Sequence, residues 1–403
     1  MLNTPFSPWP SFTAEEADAV RDVILSNRVN YWTGNLCRRF EEEFAAWCGC
    51  QYAIALANGT VALDLALKAL GIGPGDEVIV TPRTFLASAS CIVNAGAIPV
   101  FADVDRDSQN ITAETIRRVL SPRTRAVICV HLAGWSCDMD PIMALADKHQ
   151  LKVIEDCAQA HGARYKGRSV GTIGHVGAWS FCQDKIMTTA GEGGMVTTNN
   201  RELWSAMWSF KDHGKSWDAV YERQHPPGFR WLHESFGTNW RMLEVQAAVG
   251  RIQLRRLPEW TARRNANAAA IADVCVRHAA VRVPEFRCQS SCKVGCSSAS
   301  GCVHAQYKFY VYVHRECLAP GWSRDRIIDE INNAGVPCYQ GTCSEVYLES
   351  AFDDTGWRPS ERLPVARALG EDSLMFLVHP TLTSVEIEKT CAVVDSVLAR
   401  ASV

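Results

Sequence analysis

Lys185 is the residue of this sequence best suited to covalent chemistry. It follows the apolar run AWSF in SFCQDKIMTTAGEGGMV, and a lysine partly buried at a strand end can lose its proton and attack an aldehyde. The plainer fate of a lysine is to reach solvent. Asp156 closes another apolar run, LKVIED. A carboxylate is costly to bury there without a cationic partner. A protonated pyridine nitrogen would be such a partner and would make its ring an electron sink; otherwise the side chain caps the next turn. Asn58-Gly59-Thr60 follows a third run and opens a helix, whose unpaired N–H groups suit a phosphate. Ser180 can add a hydroxyl to that phosphate or simply turn the chain. Phe85, after Thr81-Pro-Arg-Thr, can lie against a flat ring or pack in a core. Neither GIGPGD at 71–76 nor GEGG at 191–194 fits G-x-G-x-x-G, which disfavours a dinucleotide site.

Short apolar runs at 52–57, 77–81, 98–104, 126–132, 151–155, 176–181 and 194–198 have to position these groups. Their apolarity is continuous, which predicts strands buried on both faces and a largely parallel sheet. Amphipathic stretches at 60–70, 113–120 and 139–149 suit crossover helices. The fold expected is α/β, three-layered, with the candidate residues at strand ends, where open sheets place ligands. Thr13-Ala-Glu-Glu16 reads as a capping box. Beyond residue 240 the texture changes. A helical stretch at 241–275 precedes an apolar run at 308–313, a helix at 324–334 ended by Gly335, a strand at 373–378 and a last helix opened by Thr383-Ser-Val-Glu386. This divides the chain into a large domain over 1–250 and a smaller α+β domain over 251–403, with a cysteine-bearing insertion near 286–305.

A chain of 403 residues, 47% hydrophobic and 21% charged, suits a two-domain globular protein. Its net charge of -3 offers no footprint for nucleic acid. The opening MLNTPFSPWPSF lacks a charged and an apolar signal region, and no apolar run reaches the ~18–20 residues of a membrane span. A cytoplasmic enzyme is expected. Of the seventeen cysteines, those such as Cys91, Cys129, Cys157 and Cys182 read as small core hydrophobes. Cys288, Cys292, Cys296 and Cys302, followed by His304, lack the usual C-x₂-C zinc spacing. They read as a surface insertion, with metal binding as the alternative.

The stretches YWTGNLCRRFEEEFA, ALANGTVALDLAL, TPRTFLASA, IPVFADVD, VIEDCAQAHGA, SFCQDKIMTTAGEGGMVTT and GTNWRMLEVQAAVGRIQL, in this order, resemble the DegT/DnrJ/StrS family of sugar aminotransferases. The resemblance covers 31–256 and continues more weakly to the C-terminus. It implies a fold-type-I enzyme using pyridoxal 5'-phosphate, working as a homodimer with shared active sites. By position, Lys185 would carry the cofactor as a Schiff base and Asp156 would pair with the pyridine nitrogen. Gln159 would hydrogen-bond the ring face or phenolic oxygen, and Phe85 would stack opposite. Gly59, Thr60 and Ser180 would hold the phosphate, with Asn239 reaching it from the neighbouring subunit.

Relatives that remove a sugar hydroxyl carry His at the Lys185 position, so lysine implies transamination. The substrates implied are an amino-acid donor, L-glutamate, and a nucleoside-diphosphate keto-sugar. The form SFxxxKxxTxxGEGG resembles relatives acting on 4-keto more than 3-keto sugars. The product would enter a surface polysaccharide, a lipopolysaccharide or a glycosylated natural product. His213, Arg230 and Arg241 are candidates for carboxylate or diphosphate contacts by charge alone; the plainer reading of each is a surface or structural residue. Two rivals remain: another pyridoxal-phosphate reaction such as dehydration or sulfur transfer, and a cofactor-free regulator on the same scaffold.

Overall fold

The computed structural model describes residues 5–225, 230–286 and 301–403. The first part of the chain lays down β1 (Tyr52–Leu56), β2 (Glu77–Val80), β3 (Ile98–Phe101), β4 (Thr124–Val130) and β5 (Lys152–Asp156). A short ribbon, β6 (Arg164–Tyr165) and β7 (Arg168–Ser169), precedes β8 (Val176–Ser180) and β9 (Gly194–Thr198). Seven of these form one sheet in the order β1-β9-β8-β5-β4-β2-β3. Only β9 runs antiparallel to its neighbours; the other pairings are parallel. The continuous apolar runs are explained by burial on both faces. Ile54, Leu56, Val78 and Val80 meet the helix Gly59–Ala69 on one side. Val127 and Val153 meet the helix Met139–His149 on the other, where Ala53 and Ala55 share a core with Phe40 and Phe44 of the helix Leu36–Cys48.

The later residues build a smaller antiparallel sheet from β10 (Val281–Arg282), β11 (Phe309–Val313), β12 (Cys338–Tyr339) and β13 (Ser373–Phe376), in the order β10-β11-β13-β12. Helices Arg324–Asn333 and Ser384–Ala401 cover it. One helix of 32 residues, Glu244–Cys275, serves both halves. Its Ala247, Leu254 and Leu257 enter the core of the large sheet, while Ala268, Ile271 and Val274 enter that of the small one. Both capping boxes form. The Thr13 N–H donates to Glu16 at 2.7 Å, and Thr383 and Glu386 bond reciprocally at 2.7 and 3.3 Å. Among the described residues no helix is long and apolar enough to cross a membrane. Cys288, Cys292 and Cys296 lie outside the described residues, whereas Cys302 and His304 are buried.

The end of β5 is fastened from its far face. Adjacent strand residues point to opposite sides, so Glu155 turns away from Asp156 and is fully buried. It accepts from His131 Nε2 at 2.9 Å and from the N–H groups of Gly171, Ile173 and Gly174 at 2.8, 2.7 and 2.7 Å. His131 Nδ1 accepts from the Cys137 N–H at 3.1 Å, so Nε2 carries the proton and donates. Burial pushes the Glu155 carboxyl up, but these donors outweigh it and hold it below the usual carboxylate range. A depressed folded pKa gives stability above the unfolded value of ~4.3 that is lost as the pH falls through the folded one. Glu155→Gln turns an NH₂ toward amide donors. It is expected to lower the unfolding free energy by about 3 kcal/mol near neutrality and to flatten the acid limb of stability, both read by urea unfolding across pH.

Candidate active site

Three chain segments converge at the carboxyl end of the large sheet because glycine lets them. Asn58 Oδ1 accepts from the Val61 N–H at 3.0 Å and starts the helix Gly59–Ala69. A Cβ on Gly59 would stand 2.5 Å from Ser180 Cβ and 2.9 Å from its Oγ. A Cβ on Gly194 would stand 2.2 Å from the Asn58 carbonyl oxygen. The start of the helix therefore lies directly on the ends of β8 and β9. The Val61 N–H is capped by Asn58, and the N–H groups of Gly59 and Thr60 before it stand outside the helical ladder and suit an anion.

A cavity of about 580 Å³ opens there, and Gly59, Thr60, Phe85, Asp156, Gln159, Ser180 and Lys185 all line it. Asp156 is 6% exposed. Its Oδ2 accepts from Ser88 Oγ at 2.7 Å and its Oδ1 from the Ala158 N–H at 3.1 Å. Burial raises its carboxyl above the ordinary value despite these bonds and the nearby Lys185. Such a carboxylate is stabilised by a cation placed in the cavity. Gln159 Oε1 accepts from the Ala133 N–H at 2.9 Å, which fixes the amide and leaves its NH₂ as the donor for a ligand oxygen.

Lys185 is held from several sides. Its carbonyl accepts from Trp9 Nε1–H at 2.8 Å, so the N-terminal segment braces it. Its side chain is only 16% exposed, with Nζ 3.6 Å from Asp184 and 5.3 Å from the centre of the Tyr307 ring. Asp184 accepts a hydrogen bond from the Tyr307 hydroxyl, and its carboxyl lies below the usual range because Lys185 and that bond outweigh its burial. Phe85 is 69% exposed, so its ring is free to cover a flat group and is no core residue.

The remaining candidates do not line this cavity within the chain. Asn239 is exposed, and its backbone pairs with Asp212. Arg241 is bound to buried Asp212 at 2.6 Å, and Lys215 joins the same oxygen at 3.1 Å. His213, with a left-handed φ of 59°, and Arg230 are exposed. Cys182, expected in the core, is half-buried and lines the cavity. The apolar run ends at Phe181, one residue beyond β8. Thr84, Ser88, Asp184 and Glu192 also face the cavity and were not singled out by sequence. The only signal for Ser88 was its place one helical turn after Phe85.

An anion cradle, a buried carboxylate, a braced lysine and an open aromatic face around one cavity are what pyridoxal 5'-phosphate requires, and these residues fit it. The fold and site define a fold-type-I pyridoxal-phosphate-dependent aminotransferase. A solved structure of an aminotransferase from Psychrobacter cryohalolentis is 65% identical, with a TM-score of 0.94 over 98% of this chain and 99% of that one. The GDP-perosamine synthase of Caulobacter vibrioides is 35% identical over 387 residues, 94% of this chain and 95% of that protein. The dTDP-3-amino-3,4,6-trideoxy-alpha-D-glucose transaminase of Streptomyces venezuelae is 42% identical over 261 residues, 65% of each chain. The model of the DegT/DnrJ/EryC1/StrS aminotransferase family matches residues 10–395, and the chain belongs to that family.

Gly59→Ala forces Ser180 away from the helix start. Cofactor affinity is expected to fall about a hundredfold, and the thermal transition of the apoprotein to drop as well, because the clash reaches the Ser180 backbone. Titration of apoprotein with pyridoxal phosphate, followed by tryptophan fluorescence, measures this; an unchanged Kd contradicts the cradle.

Proposed function

We propose that this enzyme moves the amino group of L-glutamate to a nucleoside-diphosphate keto-sugar, the ketone standing at position 4 rather than 3. The observation that carries the reading is the meeting of a half-buried lysine and a buried, cation-seeking carboxylate in one cavity, Lys185 and Asp156. In this reading Lys185 Nζ bonds the cofactor and Asp156 pairs with its ring nitrogen. Gln159 donates to its phenolic oxygen, Phe85 covers its face, and Gly59, Thr60 and Ser180 hold its phosphate. Bound there, pyridoxal phosphate supplies an aldehyde carbon for amine exchange and a ring that withdraws electrons.

The chain's own groups do the rest. With the cofactor bound, Lys185 Nζ would be placed to accept the α-proton of the donor amino acid as general base and to return a proton as acid. Asp156, ionised beside the cofactor's ring, would hold a proton on its nitrogen. The net change is amine from glutamate to ketone, leaving 2-oxoglutarate, in two half-reactions through one site.

The nucleotide-sugar acceptor rests on the names of the relatives. Position 4 rests on the SFxxxKxxTxxGEGG form of the lysine segment; a relative named for a 3-amino sugar makes position 3 the competing outcome. The product would serve a surface polysaccharide or a glycoside. We further propose a homodimer in which Asn239 of one subunit completes the phosphate site of the other. Phe85 at the cavity, and Trp231 and Phe236 elsewhere on the chain, are large exposed apolar residues of the kind a second copy covers. His213 and Arg230, exposed in the single chain, are the candidates for diphosphate contact.

Three experiments test this reading. Mixing holoenzyme with L-glutamate is expected to release 2-oxoglutarate stoichiometrically without acceptor. A panel of nucleotide keto-sugars read by mass spectrometry should then show amination of 4-keto substrates; exclusive 3-amination contradicts the regiochemistry, and water loss without amine gain contradicts transamination. Lys185→Ala is expected to lower turnover about a thousandfold or more, and near-native turnover would remove Lys185 from the chemistry.

A further inference from the structure

To pair with a protonated ring nitrogen, Asp156 has to remain ionised, and its burial works against that. Besides the nearby Lys185, two donors oppose the burial: the Ala158 N–H on Oδ1 at 3.1 Å and Ser88 Oγ on Oδ2 at 2.7 Å. Ser88 is itself buried, in the first turn of the helix Ala87–Asn94. Its Oγ lies 2.9 Å from Thr84 Oγ1, also buried. A hydroxyl has one proton to donate and an ionised carboxylate can only accept. The Ser88 proton therefore goes to Asp156, and Thr84 is the donor in the Thr84–Ser88 bond. Donation runs one way, from Thr84 to Ser88 to Asp156. The chain starts beside Phe85, so the turn that offers the ring-covering face also supports the carboxylate beneath it.

We infer that Ser88, aligned by Thr84, is a positioning residue that keeps Asp156 ionised and directed into the cavity, and thereby sets the proton affinity of the cofactor's ring nitrogen. This rests on the pairing of Asp156 with that nitrogen proposed above. A bond to a charged acceptor is worth more than one between neutral groups. Removing it lets burial raise the Asp156 carboxyl further, and a neutral acid would no longer hold a proton on the ring.

The test uses holoenzyme reconstituted with cofactor labelled with ¹⁵N in the ring, whose chemical shift reports protonation of that nitrogen directly. In Ser88→Ala the nitrogen is expected to lose its proton at a pH lower by about one unit. Turnover should drop about tenfold with the KM for glutamate nearly unchanged. Ser88→Thr, which restores the hydroxyl, should recover both readings, and Thr84→Val should shift the titration by less in the same direction. A Ser88→Ala titration like that of the parent overturns the inference. So does a Ser88→Thr enzyme as impaired as Ser88→Ala, which would indicate packing alone. If Ser88→Ala does not accumulate folded, Ser88→Cys, a weaker donor of similar shape, is judged by the same criteria. Asp156→Asn separates the two claims. If it leaves the ring nitrogen protonated, the pairing itself fails; if it abolishes protonation while Ser88→Ala changes nothing, only the role of Ser88 fails.

Discussion

A carboxylate buried at the end of a strand constrains everything around it. Asp156 is almost fully buried at the wall of the cavity, with two hydrogen bonds that do not offset its burial. The strand that carries it therefore has to be held firmly. The His131 N–H donates to the Asp156 carbonyl at 3.1 Å, and Glu155 gathers four donors on the opposite face. His131 thus serves both, its backbone tying β4 to β5 and its ring closing the Glu155 cluster. The polar groups behind Asp156 are nearly all satisfied, which is what a low-dielectric interior demands. The burial of Asp156 favours a cation in the cavity, which points toward the ligand.

The second constraint is closeness. Helix start, β8 and β9 meet at separations that admit no side chain at Gly59 or Gly194. This brings unpaired N–H groups and the Ser180 hydroxyl to one point, roughly opposite the lysine segment that follows β8. The antiparallel β9 makes this possible. It returns the chain from the lysine loop to lie between β8 and β1, so the loop bearing Lys185 is anchored at both ends by central strands.

Much of this was legible in the sequence. Continuous apolar runs gave the strands, because burial on both faces leaves no polar alternation to read. The residues of the cavity wall could be named through the ordered motifs around Asp156 and Lys185, although each taken alone had a plainer explanation. Charge alone was a poorer guide. Arg241 read from charge alone either as a substrate contact or as structural, and only the fold shows that Asp212, 29 positions earlier, holds its guanidinium. Ser88 and Thr84 carry no mark of their own, since a hydroxyl near a helix start is ordinary; its meaning comes from Asp156, 68 residues away. Trp9 was equally unreadable, because its contact with the Lys185 carbonyl spans 176 residues. Short-range pattern reveals strands and caps; such distant pairings exist only after the chain has folded.

The central claim is that Lys185, and no other lysine, bonds the cofactor. Lys308 is the sharpest competitor, since burial lowers its ammonium to about 8 and Asp184 and Lys185 lie near it. Reduction of the holoenzyme with borohydride fixes the cofactor to whichever lysine holds it, and peptide mass spectrometry locates the added mass. The account predicts a single pyridoxyl adduct on the peptide containing Lys185. An adduct on Lys308, or on any other lysine with Lys185 unmodified, would contradict it.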